Sequence, residues 1–157
     1  EVAKDVLENM LSLMGVEGSV VFQPQPVDEA EAEVPAPIAL NVKGEDLGIL
    51  IGRRGQNLSS LQFIVRLIVG QQTSVWLPIV IDVEGYKQRR YQTLQTFAQN
   101  VAEQVKASGT SFTLEPMSAY ERRIIHLALA DRPDIATQSI GESEARRVVI
   151  LLKDNLD

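Results

Sequence analysis

The chain has no cysteine, one histidine and one tryptophan, and aromatic residues make up only 5% of its 157 positions. Without cysteine, disulfides and thiolate metal sites are excluded, and a reducing cytosolic setting fits best. A lone histidine has no fellow ligands for a metal, and no cofactor is expected. No apolar run is long enough to span a bilayer, and the N-terminus lacks the basic-then-apolar order of a signal peptide, so membrane insertion is not expected. The first residue is Glu1 rather than methionine, and the chain is read as a fragment or processed form with an N-terminal part missing. What is present is an ordinary globular composition, 45% apolar, with a core of mainly aliphatic side chains.

A net charge of −6 argues at first against nucleic acid. Its distribution weakens the objection. Residues 1–37 hold eight acids against Lys4 alone, a net of −7, whereas residues 38–108 are +3 and residues 109–157 are −2. Local field rather than whole-chain charge steers a polyanion, so the middle of the chain remains a candidate.

Periodicity divides the chain into elements. Val2, Val6, Leu7, Met10, Leu11, Leu13 and Met14 recur at helical spacing up to Gly15. Val20 to Phe22 reads as a short strand. The proline-rich acidic stretch over about 24–37 reads as a mobile loop. Alternation predicts strands at Ile38–Val42 and Val75–Val83, with Pro78 marking an edge or a bulge in the second. Between them, a short helix over Leu47–Ile51 and a helix over Asn57–Val69 flank Gly52-Arg53-Arg54-Gly55. The second of these places Leu58, Leu61, Ile64, Val65 and Ile68 on one face. A helix over 86–107 carries Tyr91, Leu94, Phe97, Val101 and Val105 as its stripe. A strand at Phe112–Leu114 follows. Ser118 with Glu121 forms a capping box that starts a helix running to about Ala130. Strands near 135–139 and at Arg147–Leu152, with a turn at Gly141, complete the order. The fold class is α+β, in two units of 1–108 and 109–157.

Gly-x-x-Gly spacing is weak evidence alone, since a tight helix–helix turn would explain it. Here both intervening residues are arginine and both neighbours are short apolar helices. Glycine admits positive φ and lets main-chain N–H groups approach a phosphate. Asn57 and the start of the following helix direct partial positive charge the same way. Mononucleotide and dinucleotide loops fit poorly, because no Gly-x-Gly-x-x-Gly follows a strand and no Lys-Ser or Lys-Thr follows the glycines.

Arg122 and His126 lie four apart on the capped helix and share a face. A lone histidine beside apolar residues is most often structural. Catalysis lacks an evident nucleophile or orienting partner, and an enzyme is not expected. Asp82 and Glu84 share a strand face, but a cation-dependent hydrolase needs further ligands and a base. The cluster Lys87, Arg89, Arg90 opens a helix against its macrodipole, which points to a partner or to a solvated face.

The run Lys43 to Leu58 resembles the core of a KH domain in the bacterial (type II) arrangement. Together with Ile81–Arg90 and Glu115–His126, it resembles the Jag (SpoIIIJ-associated, KhpB or EloR) family over nearly all of 38–153. The resemblance implies a type II KH-like three-stranded sheet with helices on one face. A small α/β domain carrying the Arg-x-x-x-His signature, an R-3-H domain, would follow it. It also implies single-stranded RNA or DNA as ligand and a role as RNA chaperone or regulator in cell elongation and envelope homeostasis. The implied partners are a second copy or a small KH-only protein. The clamp would be Gly52, Arg53, Arg54 and Gly55, which in KH domains hold about four nucleotides. Ile49, Ile51 and Leu58 would be groove walls, although plain core describes them equally well. Arg122, Arg123, His126, Arg146 and Arg147 would form a second contact, with one of the last two arginines facing the same way as Arg122. The alternative is a protein-interaction or dimerisation module that meets RNA only incidentally.

Overall fold

The computed structural model describes residues 1–24 and 36–156, so most of the acidic stretch expected as a loop lies outside the described residues. The first unit is Glu1–Lys87 and the second is Gln88–Asp157. In the first, helix α1 (Val2–Leu13) precedes strands β1 (Ser19–Phe22) and β2 (Ile38–Lys43). Helix α2 (Gly48–Ile51), a 3-10 turn over Arg53–Gly55, helix α3 (Gln56–Thr73) and strand β3 (Ile79–Val83) follow. The sheet order is β1-β2-β3, antiparallel then parallel. Register aligns Val20 with Val42 and Val83, and Leu40 with Ile81, so one sheet face collects the buried residues. Ala3, Leu7 and Leu11 of α1 and Leu58, Leu61, Val65 and Val69 of α3 join them in one core. This is the three-stranded sheet with packed helices that the resemblance implies.

The strand expected from Val75 begins instead at Ile79. Pro78 has no N–H for a ladder, and its carbonyl accepts from Ile38 N at 2.8 Å just before the strand. The outer edge of β3 is closed by α3 side chains. Gln62 Oε1 accepts from Ile81 N at 2.9 Å, and Arg66 Nε donates to Ile79 O at 2.7 Å. An edge satisfied in this way offers little to a passing strand. Ile64, expected in the core, is exposed, because the buried stripe of α3 runs through Leu61, Val65 and Val69.

Helix α4 (Tyr86–Ser108) crosses the division, and here the expected boundary after residue 108 does not match the structure. Leu94, Ala98, Val101, Ala102 and Val105 lie in the core of the second unit, with Leu114, Ile124, Ile125 and Leu129. A helix belongs to the core that its apolar face completes, so the units part between Lys87 and Gln88. Ala98 and Ala102 occupy the centre of that face. They turn it away from Phe97, an expected core residue that is exposed.

The second unit continues with strand β4 (Phe112–Thr113), helix α5 (Ala119–Leu129), and strands β5 (Ile135–Ile140) and β6 (Arg147–Leu152). Its sheet order is β4-β6-β5, all antiparallel. Ser118 Oγ caps α5 by accepting from Glu121 N at 3.2 Å. The expected reciprocal half of the capping box gives way to an ion pair. The Glu121 carboxylate is buried and takes a forked bond from Arg90 on α4, Nε–Oε1 2.8 Å and Nη2–Oε2 3.3 Å. Charge-assisted forked bonds outcompete a single neutral amide.

Candidate nucleic-acid interface

In the first unit, the site is built at the junction of α2 and α3. Gly52 ends α2, its N–H bonded to Gly48 O at 2.9 Å, and adopts φ 67°, ψ −172°. Arg54 follows at φ 54° and Gly55 at φ 76°, where it caps α3. Three of four consecutive residues therefore have positive φ, which turns the chain sharply enough to put the arginine pair at the apex. Both glycines are required by space as well. A Cβ on Gly52 would lie 2.5 Å from Asn57 Cγ, and one on Gly55 would lie 2.9 Å from Tyr86 Cε1. Arg53 is exposed and Arg54 half-buried.

Three other residues expected at this site are Asn57, Ile51 and Leu58. Asn57 is exposed. It donates to Ile49 O at 2.8 Å and braces α2 against α3. Leu58 is part of the core, and Ile51 packs partly against it. Of the expected groove walls only Ile49 stands out, 66% exposed. Periodicity could not separate core from groove here, since both are apolar.

The carboxylates considered for cation-dependent hydrolysis bond to main-chain amides. Asp82 Oδ1 accepts from Val83 N at 2.8 Å and from Lys87 N at 3.2 Å, so it caps α4. Glu84 Oε1 accepts from Gly44 N at 2.8 Å. Among the described residues no group of three or more His, Cys, Asp or Glu is placed to hold a metal ion. The basic cluster at the start of α4 divides between the units. Lys87 donates to Gln62 Oε1 at 3.0 Å, and burial pushes its ammonium below the usual lysine range, with Asp82 pulling it back up.

In the second unit, Arg122 and His126 occupy one side of α5 as their spacing requires. Arg122 Nη1 donates to Met117 O at 2.7 Å. The His126 ring lies against β5, Nδ1 2.6 Å from Thr137 Oγ1 and Nε2 2.9 Å from Ser139 Oγ. Arg123 is exposed. Arg146 Nη1 donates to Gly141 O at 2.8 Å, and Arg147 Nε donates to Ala145 O at 3.1 Å. Tyr120 is 66% exposed on the first turn of α5, three residues before Arg123.

Burial, and secondarily Arg122, push the His126 imidazole below its ordinary pKa of 6.5. The folded state thus releases this proton at lower pH than the unfolded chain, and between the two values the unfolded chain binds more protons. The stabilisation is complete above 6.5 and is lost as pH falls through the lowered value. Melting temperatures of wild type and His126→Asn, compared between about pH 5 and pH 8, are expected to converge toward acid. A parallel pH profile for the two proteins would contradict the lowered pKa. The chain has a single histidine, so the imidazole proton resonances report the titration without ambiguity.

The first unit also carries an apolar surface. Phe63, Ile64 and Leu67 of α3 and Val75 and Trp76 beyond it are exposed. The Trp76 ring lies over Gly70, whose absent Cβ would sit 3.6 Å from it. Among the described residues no helix is long and apolar enough to cross a membrane.

Two family models match the chain: the KhpA/KhpB KH domain over residues 4–76 and the R-3-H domain over residues 92–152. The chain is 47% identical over 121 residues to the RNA-binding protein KhpB of Clostridium symbiosum, covering 77% of this chain and 54% of that protein. It is 34% identical over 125 residues to the RNA-binding protein KhpB of Bacillus subtilis, 78% of this chain and 60% of that one. For the RNA-binding protein KhpB of Lactiplantibacillus plantarum the figures are 32% over 114 residues, 73% and 35%. The chain therefore spans only part of the length of each of these curated relatives.

Proposed function

By its KH and R-3-H domains this chain belongs to the Jag (KhpB) family, and we propose that it binds single-stranded RNA with Gly52-Arg53-Arg54-Gly55 as the backbone clamp. One observation carries the reading. Gly52, Arg54 and Gly55 all take positive φ between two helices, which puts the arginine pair at one apex with Arg53 exposed. That is the loop with which KH domains grip the backbone of about four nucleotides. Asn57, Ile51 and Leu58 support the loop from behind rather than touch the strand. Arg122, Arg123 and Arg146 form the second contact, on the R-3-H domain. The relatives are named as RNA-binding proteins, and the proposal assigns no catalytic step. Regulation of transcripts in the cytoplasm, with consequences for cell elongation and the envelope, is the physiological role that the family implies. Since few phosphates are neutralised and the whole chain is −6, binding is modest and strongly screened by salt.

A second reading, docking of a second copy or a small KH-only protein, is favoured by the exposed Phe63, Ile64, Leu67 and Trp76. A titration of labelled single-stranded RNA separates the two. Arg53→Asp/Arg54→Asp is expected to weaken binding by at least about tenfold, near 1.4 kcal/mol. The slope of log affinity against log salt should flatten by roughly 0.7 for each phosphate that the loop no longer neutralises. Equal binding by the two proteins would overturn the clamp and leave the apolar surface as the functional feature.

A further inference from the structure

His126 belongs to the signature associated with nucleic-acid contact, yet both of its ring nitrogens are engaged within the second unit. A neutral imidazole has one donor and one acceptor, and a hydroxyl serves as either, so Thr137 and Ser139 satisfy the ring completely. From Ser139 the chain runs two residues to Gly141, whose carbonyl accepts from Arg146 Nη1. The Arg146 carbonyl accepts from Met117 N at 3.2 Å, and the Met117 carbonyl accepts from Arg122 Nη1. Arg122 stands one turn before His126 on α5. These bonds close a circuit that runs from α5 through β5 and the β5–β6 hairpin and returns to α5.

Within that circuit each arginine is anchored through one guanidinium NH2 group. A guanidinium has five N–H donors, so each retains donors for an anion. Arg147 stands apart from them. Its neighbours Val148 and Ile150 are fully buried with α5, and strand alternation turns Arg147 to the opposite sheet face. Arg146, extended and immediately before the strand, falls on the α5 side.

We infer that His126 is a positioning residue rather than an RNA contact: through Thr137 and Ser139 it braces the hairpin so that Arg122 and Arg146 form the phosphate-binding pair of this unit. This inference rests on the RNA-binding reading above.

Labelled single-stranded RNA titrated against the full chain tests it. Thr137→Val/Ser139→Ala should weaken binding several-fold, by the same factor as His126→Ala. Combining all three changes should add nothing further, because they remove one coupled unit. His126→Gln, which keeps a donor and an acceptor, should recover part of the loss. Arg122→Gln and Arg146→Gln should each weaken binding more than Arg147→Gln. Wild-type binding by the hydroxyl variant alongside weakened His126→Ala would make the ring a direct contact and overturn the inference. Equal losses for Arg146→Gln and Arg147→Gln would overturn it too. No RNA binding by the wild type would instead overturn the RNA-binding reading itself. If the double hydroxyl variant fails to fold by circular dichroism, Thr137→Val and Ser139→Ala are compared singly with His126→Gln by the same criteria.

Discussion

Glu121→Ala is expected to destabilise the second unit by about 3 kcal/mol, the lower end of the cost of breaking a buried ion pair. The carboxylate is 8% exposed and takes two bonds from Arg90, so its loss strips a guanidinium of a carboxylate in a place water reaches poorly. Arg90 itself is 27% exposed, which lets some solvent replace the missing bonds and keeps the figure from rising higher. The pair also ties α4 to the first turn of α5, the turn that leads into Arg122. Glu121→Gln, which keeps an acceptor for Arg90, should lose less than Glu121→Ala. Urea unfolding followed by circular dichroism, with the single imidazole resonance marking this unit, gives the measurement. A change within about 0.5 kcal/mol of wild type, as at an ordinary surface position, would show that the pair contributes nothing.

Gly52→Ala is expected to destabilise the first unit by about 2–4 kcal/mol and to weaken RNA binding with it. The backbone at φ 67°, ψ −172° is a region that almost only glycine occupies, at a cost of roughly 1–3 kcal/mol for any other residue. The new Cβ would also lie 2.5 Å from Asn57 Cγ. Relieving that clash moves the Asn57 amide off Ile49 O and costs a net hydrogen bond of about 1 kcal/mol. The two costs are separable. In an Asn57→Ala background the clash and its bond are already gone, so Gly52→Ala should cost only the backbone strain there. Trp76 is the one tryptophan and lies in the first unit, so its fluorescence in urea follows this unit. An unfolding midpoint unchanged by Gly52→Ala would sink the argument.

Much of the architecture is legible in the chain. The strand at 38–43 follows from alternation, α1 and α5 from apolar spacing and a capping serine, and the loop between α2 and α3 from two glycines around two arginines. Each of these signals is local, because backbone freedom, missing N–H groups and side-chain periodicity act within a few residues. The same locality limits what the chain discloses about its long-range bonds. Nothing near Asn57 announces that its amide is needed eight residues back at Ile49, and nothing near Glu121 announces Arg90, thirty-one residues earlier. Helix α4 reads as an apolar stripe from either unit. Which core receives it depends on where Leu114, Ile125 and Val148 are waiting, and that is a matter of packing.

His126 draws the same line most sharply. Its spacing from Arg122 follows from the helix alone, and the sequence supports only that the two share a face. The hydroxyls of Thr137 and Ser139 reach the ring because antiparallel pairing sets the register of β5 against β6 and packing lays α5 over both. Composition, charge distribution and turn chemistry were enough to identify a small α+β chain with an arginine-tipped glycine loop. Long-range pairing and burial then determined which of its polar residues are bonded within the fold. A buried polar group must bond to whatever the fold brings beside it, and no stretch of sequence contains that neighbour.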